Sequence, residues 1–387
     1  MNDRFSFLEV FRVFLRLGLT SFGGPAAHLG YFHDEFVRRR QWLSESAYGE
    51  VVALCQLLPG PASSQVGLAI GYLRGQYPGA VAAWLAFTLP SAVLMTLFAL
   101  GLGLWPGAAE GGWVAGLKLF VVAVVAQAVW QMGRTLCPDR VRQGLAVMVA
   151  VILLVAGSAV MQLLALVVAG LAGLMLRVPP GERREALSLP VQGRRPVFFL
   201  VLFALLLLAS LLPAEAGTLS WLAAEMYRSG ALVFGGGHVV LPWLEEGFVA
   251  SGQVPADTFL AGYGAAQAVP GPLFSFSAFL GGTVGGVQGS ILALVSVFLP
   301  GVLLVFAGLP LWQWLRHHDK ARSALAGVSA GVVGLLLAAL FDPIWTSAVH
   351  SAAGVAFVLA TWWALAVVRV PVWVLAPVSA VLGAMLF

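Results

Sequence analysis

The chain has 387 residues, of which 60% are hydrophobic and only 10% are charged, and its net charge is +4. Soluble domains carry about 25% charged residues, so this composition excludes an ordinary water-soluble enzyme, a nucleic-acid-binding protein and a disordered scaffold. The apolar runs are long and do not alternate, which argues against an outer-membrane barrel. We therefore expect an all-α polytopic integral membrane protein, with room for roughly nine or ten helices of about 20 residues each.

The first apolar segment, residues 6–30, contains charged residues and a glycine pair. These charges interrupt the apolar core that a cleavable signal peptide would need. The run Phe22-Gly23-Gly24 predicts a turn that breaks the helix, because glycine frees the backbone. Arg16 precedes the turn and has two interpretations: it clamps an oxyanion, or it belongs to an interfacial amphipathic helix.

Two titratable residues follow this turn and are candidate proton relays. For His28 the plainer interpretation is a structural histidine with satisfied hydrogen bonds, and for Glu35 it is a solvated loop face. The loop that contains Glu35, residues 31–46, also carries three consecutive arginines, Arg38 to Arg40. Arginines gather in the cytoplasmic loops of membrane proteins, so this loop is predicted to be cytoplasmic.

The next apolar segment, residues 47–73, is predicted to enter the membrane and return on the same side. Proline removes a donor and glycine frees the backbone, so the helix should break at Pro59, Gly60 and Pro61. The start of the second half-helix exposes N–H groups and partial positive charge, which together form an anion site. The residues that join this candidate site are Ser63 and Ser64, with hydroxyl donors, and Gln56, which contacts substrate or satisfies carbonyls freed beside the prolines.

Apolar runs elsewhere predict the full membrane spans, and one polar segment separates two groups of them. The polar segment, residues 178–195, is rich in arginine and is predicted to be cytoplasmic. The predicted spans are residues 76–104, 113–134, 142–157, 160–177, 196–213, 286–312, 324–341, 346–367 and 371–387.

The second part of the chain repeats the signals of the first in the same order and at a nearly constant offset. We therefore predict two homologous halves, residues 1–177 and 215–387, joined by residues 178–214, which hold the linker and a connecting helix. His238 follows the second glycine turn and is a third candidate proton relay. The matched candidate site residues of the second half are Arg228, Phe234, Gly235, Gly236, Gln267, Pro270, Gly271, Pro272 and Ser275.

Equivalent loops of the two halves differ in positive charge. In one pair the loop of the first half is basic, and in the other pair the loop of the second half is basic. Loop 31–46 has its three arginines, whereas the matching loop 238–257 has no Lys or Arg. Loop 105–112 has no Lys or Arg, whereas its counterpart 313–323 has three basic residues. Because positive charge marks the cytoplasmic side, the halves are predicted to have inverted topology, with broken, re-entrant helices at the interface of the repeats.

Signatures of catalysis and metal binding are absent from the sequence. There is no His-Glu-x-x-His zinc motif and no phosphate-binding loop of ATPases, and Cys55 and Cys137 have no metal-ligand spacing. We therefore expect no cofactor, no metal and no enzyme, and favour secondary transport. The rival hypotheses are an intramembrane enzyme that acts on a lipid-linked substrate, and a membrane subunit that only holds partners together.

Several of these motifs resemble the chromate ion transporter family, of the long two-domain type. The residues that carry the resemblance are 17–28, 37–44 and 57–61 in the first half, and 234–238 and 269–272 in the second. The resemblance implies a multi-pass protein of the bacterial inner membrane that expels chromate, driven by the membrane potential or by proton antiport, and so confers chromate resistance.

The resemblance also implies the partners of the protein, and the second half departs from the motif of the first. Chromate or a related oxyanion, membrane lipid and a second copy in a homodimer are the partners that we expect, and a sulfate or other oxyanion transporter is the nearer alternative. In the second half, Gly237 replaces the proline found at Pro25, and Phe274 and Phe276 replace Ser63 and Gln65. The second site is therefore expected to be less polar than the first, and the two halves are not expected to have equal roles.

Overall fold

The computed structural model describes residues 7–104, 111–156, 159–175, 195–233 and 237–387. These residues form helices and turns and no β-strand, which confirms the all-α prediction. Most of the predicted linker, and the site residues Phe234, Gly235 and Gly236, lie outside the described residues.

Helices follow one another with short connections throughout the described part of the chain. In the first half they are α1 (Phe7–Thr20), α2 (Gly24–His33), α3 (Glu45–Leu57), α4 (Ala62–Leu104), α5 (Gly112–Leu136), α6 (Arg140–Val155) and α7 (Ala159–Gly173). They continue as α8 (Arg195–Ser210), α9 (Leu219–Ala231), α10 (Val240–Glu245), α11 (Ala256–Ala268), α12 (Phe276–His317), α13 (Asp319–Ala339), α14 (Thr346–Ala348), α15 (Ala352–Trp363) and α16 (Val372–Leu386).

Fewer helices than expected are long enough to cross a bilayer alone. By length and apolar composition there are four such helices in the described residues: Ala62–Leu104, Gly112–Leu136, Leu273–Pro310 and Asp319–Ala348. The other apolar helices are shorter, at 10 to 17 residues. The predicted span 346–367 is divided, because Ser351 caps a new helix by accepting a hydrogen bond from the Gly354 N–H at 3.1 Å.

The two halves repeat each other in structure as well as in sequence. Each of the long helices α4 and α12 contains one pair of residues with non-helical backbone angles. Gly75 and Gln76 have φ/ψ of −150/25° and 52/−144°, and Gly285 and Gly286 have −137/22° and 60/−148°. The same local break therefore occurs at equivalent positions of the two halves.

At these breaks the chain turns back on itself. The hydroxyl of Ser290 donates to the carbonyl of Ala278 at 2.7 Å, although a straight helix between these two residues would separate them by about 18 Å. In the first half, Gly71 packs directly against the Gly79 backbone. The first part of α4, residues 62–74, thus forms a half-helix that lies against the remainder, residues 77–104.

The described chain forms two compact units, and both halves contribute to each. The first unit comprises Met1–Ala99, Gly181–Gly237 and Val269–Trp314, and the second comprises Leu100–Pro180, His238–Ala268 and Leu315–Phe387. In the second unit, α5 packs against α16 through glycines: a side chain at Gly116 would collide with the Ser379 carbonyl. Small residues allow such close backbone contact between membrane helices.

In the first unit, two broken segments each begin and end at the same place. Glu9, near the start of α1, is 3.4 Å from Arg40 and 3.6 Å from Arg74. The guanidinium groups of Arg40 and Arg74 also lie over the ring of Trp42, at 5.6 and 5.1 Å from its centroid. Residues 7–39 and 45–74 are therefore hairpins whose ends meet at this cluster, as expected for re-entrant segments.

Candidate functional site

Two sharp turns, one after α3 and one after α11, have backbone angles that only glycine accommodates well. Gly60 has φ +127° and Gly271 has φ +105°, in the region that side chains rarely adopt. The Gly60 N–H donates to the Val233 carbonyl at 2.6 Å, and the Gly271 N–H donates to the Ser21 carbonyl at 3.0 Å. Each proline-glycine-proline turn is thus bonded to the residue that precedes the phenylalanine-glycine motif of the other half.

This exchange is the pattern of a twofold axis within one chain, where residue i contacts j and the equivalent of j contacts the equivalent of i. A second pair of contacts follows the same rule. A Cβ atom at Gly60 would lie 3.1 Å from the Cα of Gly301, and one at Gly271 would lie 2.9 Å from the Oγ of Ser91, the residue equivalent to Gly301. The two turns therefore meet in a pseudo-symmetric arrangement.

The half-helix that follows Pro61 presents donors at its start. Its first N–H groups have no acceptor within the helix, and the preceding Pro61 offers no capping side chain. Ser63, Ser64 and Gln65 are 2 to 5% exposed. Within the part of the chain that the structure describes, the Ser64 Oγ and the Gln65 Oε1 have no hydrogen-bond partner.

Two further hydroxyls at the turns share this property. The Oγ atoms of Ser21 and Ser275 are buried and lack a partner among the described residues. A buried hydroxyl without a partner costs about 1–3 kcal/mol, so such groups are rare unless a ligand or water bonds to them. These hydroxyls occur at both breaks. Together with the free N–H groups at the start of the half-helix, they indicate a site for a polar ligand.

His28 ties the first turn to the half-helix. Its ring is fully buried, with Nε2 3.2 Å from the Ser21 carbonyl and Nδ1 3.3 Å from the Ser63 hydroxyl. Because a carbonyl only accepts, Nε2 carries the proton and Nδ1 accepts from Ser63. The geometry therefore supports the structural interpretation of His28 and leaves its role as a proton relay a prediction.

The two candidate glutamines lie in different surroundings. Gln56 is on the exposed side of α3, whereas Gln267 is 9% exposed and has an Nε2 without a partner among the described residues. The freed carbonyl beside the first break is satisfied by Gln65, whose Nε2 donates to the Pro59 carbonyl at 2.8 Å. The sequence leaves two interpretations for Gln56, contact with substrate or satisfaction of these carbonyls, and in the structure Gln65 bonds to the Pro59 carbonyl.

The start of the second half-helix is more apolar than the first. It begins with a short 3₁₀ turn, Leu273–Ser275, in which the Ser275 N–H already donates to the Pro272 carbonyl at 2.9 Å. Phe274 and Phe276 are buried beside Ser275. Fewer backbone donors remain free here than at the first half-helix, where the α-helix begins directly at Ala62.

The matched arginines also differ. Arg16 lies on the exposed side of α1, and no carboxylate in the described residues pairs with it. Arg228 is ion-paired with Glu225, one turn earlier in α9, and the residue equivalent to Glu225 in the first half is Val13. Of this matched pair, Arg16 is therefore the one whose charge is not neutralised within the described part of the chain.

Each of the other candidate proton relays has polar partners of its own. Glu35 is 8% exposed and bonds to Arg39 at 2.8 Å and to Arg40 at 2.7 Å. Its carboxylate is therefore buried and ion-paired, and does not belong to a solvated loop face. In the second unit, His238 Nδ1 lies 2.6 Å from the Tyr263 hydroxyl.

Comparison with known proteins finds a matching family. The family model of the chromate transporter matches residues 8–174 and 220–384. The chain belongs to the chromate transporter family. Its two matched regions agree with an organisation into two halves, and relatives carry names of transporters, not of enzymes.

Three curated relatives cover most of the chain. A probable chromate transport protein of Synechococcus elongatus is 28% identical over 348 residues, which are 88% of this chain and 85% of the relative. Chromate transport proteins of Pseudomonas aeruginosa and Cupriavidus metallidurans are each 29% identical and cover 87% and 84% of this chain, and 81% and 80% of their own lengths. No solved structure matches the chain.

With the apolar helices described above, family membership makes this chain a multi-pass membrane transport protein. The proline-glycine-proline motifs by which the sequence resembles the family lie at the paired turns. The proline-glycine-proline turns are thus both the sites where the helices break and the motifs by which the sequence resembles the family.

Proposed function

We propose that the chain is a secondary transporter that carries chromate out of the cytoplasm through a site at the two paired turns. The observation that carries the proposal is the set of buried hydroxyls without partners in the described residues, Ser21, Ser64 and Ser275, beside a half-helix start. Chromate is a tetrahedral dianion whose oxygens only accept hydrogen bonds, so unpaired donors with the positive end of a helix suit it.

The two halves contribute unequally in this proposal. The first half supplies the N–H groups of residues 62–64, the hydroxyls of Ser63 and Ser64 and the charge of Arg16. The second half supplies Ser275, with Arg228 already neutralised by Glu225. The glycine and proline residues at the turns hold these donors in place, and the reciprocal bonds of Gly60 and Gly271 reorganise when access changes from one membrane face to the other.

Several finer points belong to the same proposal. Outward transport confers chromate resistance, the site faces the two sides of a bacterial inner membrane in turn, and proton antiport or the membrane potential drives it. His28, His238 and Glu35 are the candidate proton relays, and the protein works as a monomer or a homodimer. No phosphate-binding loop for ATP occurs in the sequence, which favours secondary transport.

The test is flux of chromate and of sulfate into and out of proteoliposomes that contain the purified full chain. We expect chromate flux under an imposed membrane potential or pH gradient, and a loss of at least tenfold in Arg16→Ala. Arg12→Ala removes an exposed arginine one turn earlier in α1 and is the matched control. If the wild-type protein moves neither anion, the proposal fails.

Sulfate transport is the second candidate, because sulfate is also a tetrahedral dianion and the same donors fit it. Sulfate flux that exceeds chromate flux at equal concentration would favour it. An intramembrane enzyme would instead turn over a lipid-linked substrate, without vectorial flux.

A further inference from the structure

The second unit contains a cavity that is unrelated to the paired turns. Its volume is about 510 Å³, and it lies between the C-terminal part of α5 on one side and the end of α15 with the segment that follows it on the other. Two segments line it, and on each of them four lining residues recur at positions i, i+3, i+4 and i+7, which share one face of a helix. They are Gln127, Trp130, Gln131 and Arg134 on one side and Trp362, Leu365, Ala366 and Arg369 on the other, and Val367 completes the lining.

Each face ends in an arginine that has no carboxylate partner among the described residues. The guanidinium of Arg134 lies over the ring of Trp130, 5.9 Å from its centroid. Arg369 is the last lining residue on the other side of the cavity. The cavity lining contains no acidic residue among those described, so the two charges are available to an anion.

Arg369 occupies a backbone position that usually belongs to glycine. Its φ is +63°, and the Val370 N–H donates back to the Ala364 carbonyl at 2.9 Å, as in the glycine-terminated ends of many helices. A residue with a side chain costs about 1–2 kcal/mol in this conformation. Glycine would be less strained than arginine at position 369. The presence of a long cationic side chain there therefore indicates that the side chain has a function.

The surroundings of the cavity are those of a membrane interface. Trp130 is 56% exposed, and the neighbouring Leu359, Trp363 and Val367 are 56 to 61% exposed, as expected for side chains in contact with lipid. Tryptophan favours the headgroup level of a bilayer. The loop after α5 leads into a stretch with two further arginines, at positions 140 and 142, and such loops lie on the cytoplasmic side.

We propose that this cavity binds the phosphate headgroup of an anionic phospholipid, held by the guanidinium groups of Arg134 and Arg369 with Trp130 and Trp362 beside it. Guanidinium suits phosphate because its planar donors bond two oxygens at once. Basic pockets between membrane helices recognise anionic headgroups in this way. The acyl chains lie along the exposed apolar residues of α15 and its continuation.

The experiment is native mass spectrometry of the purified full chain in detergent, titrated with phosphatidylglycerol or with phosphatidylcholine of the same acyl chains. We expect one tightly bound phosphatidylglycerol and at least tenfold weaker phosphatidylcholine. The double variant Arg134→Gln/Arg369→Gly should lose about tenfold in phosphatidylglycerol affinity, whereas Arg140→Gln, which removes an exposed arginine outside the cavity, should bind as the wild type does.

Three outcomes would overturn the proposal. The double variant binds phosphatidylglycerol as tightly as the wild type does, or both lipids bind equally, or millimolar inorganic phosphate displaces the lipid, which would indicate a site for a soluble anion. A fourth measurement separates binding from folding. Because glycine suits this turn, Arg369→Gly should unfold at the wild-type temperature or above it in phosphatidylcholine, and a lower temperature would make Arg369 a structural residue.

Discussion

At the scale of single residues, Ser64 is a buried polar group that lowers stability and that the proposed transport site would use. Its buried hydroxyl has no partner among the described residues, so its presence costs folding free energy. Ser21 and Ser275 share this state. A transport site that must release its ligand to both sides needs such donors, because donors already bonded inside the protein would have nothing to offer the anion.

We predict that Ser64→Ala lowers chromate flux about tenfold, since hydrogen bonds to charged groups contribute about 1.5–3 kcal/mol. The same change should leave the thermal unfolding temperature unchanged or raise it, because an unpaired buried polar group is removed. Flux in proteoliposomes and thermal unfolding in detergent measure the two effects.

Ser210→Ala is the matched control, since Ser210 is also buried but donates to the Leu207 carbonyl at 2.7 Å. It should lower the unfolding temperature and leave flux unchanged. If Ser64→Ala instead lowers the unfolding temperature with normal flux, the hydroxyl is structural.

Glu245 provides a pH-dependent contribution to stability. Burial, followed by the charges of Glu246 and Asp342, raises the pKa of Glu245 to about 7 from the usual 4.5. The folded protein therefore keeps this proton at pH values where the unfolded chain has lost it, and stability falls as pH rises from about 4.5 to about 7.

We predict that Glu245→Gln flattens the fall of the unfolding temperature across this pH range. Glu215→Gln, which replaces an exposed carboxyl group, should keep the wild-type slope. Thermal unfolding at several pH values between 4.5 and 8 makes the comparison, and parallel curves for Glu245→Gln and wild type would contradict it.

At the scale of elements, the sequence predicts where the helices break but not which residues bond to the turns at those breaks. Proline and glycine at 59–61 and 270–272 indicate breaks in any sequence, because proline lacks a donor and glycine permits unusual backbone angles. The acceptor of the Gly60 N–H is Val233, in the other half of the chain, and no local pattern gives such a pairing. For the same reason, the sequence does not indicate that Gln65 bonds to the Pro59 carbonyl.

We predict that Gly60→Ala destabilises the fold by about 1–3 kcal/mol through its backbone angle alone. A further loss is expected because the new Cβ would lie 2.7 Å from the Gln65 Nε2 and 3.1 Å from the Gly301 Cα. Thermal unfolding measures the change.

The control for this prediction is Gly30→Ala. Gly30 is in α2, has no atom within 4 Å of a new Cβ and has no positive φ. Alanine there should stabilise the helix by roughly 0.5–1 kcal/mol. If the two variants behaved alike, the conformation of the turn would not be what requires glycine at position 60.

At the scale of the whole molecule, the exchanged bonds at the turns agree with two halves related by a twofold axis. The inverted orientation of those halves in the membrane stays a prediction, because it comes from the loop arginines. The compact units cut across the halves, so sequence repeats and packed units divide the chain differently. Local patterns identify the former, and only long-range contacts determine the latter.

We predict that single cysteines at Arg38 and Ser251, introduced after replacement of Cys55 and Cys137, react with impermeant thiol reagents from opposite sides of the membrane. Both positions are exposed and lie in equivalent loops of the two halves. Labelling of oriented vesicles from each side is the measurement, and reaction of both cysteines from one side would exclude the inverted topology.

The reciprocal bonds of Gly60 and Gly271 mean that neither half can complete its own turn. A polypeptide of residues 1–177 leaves the Gly60 amide without Val233, and one of residues 195–387 leaves the Gly271 amide without Ser21. The peptide link between the halves takes no part in these bonds. Two fragments produced together should therefore reassemble into a working protein, whereas either fragment by itself would have to pair with a second copy of itself in place of the missing half.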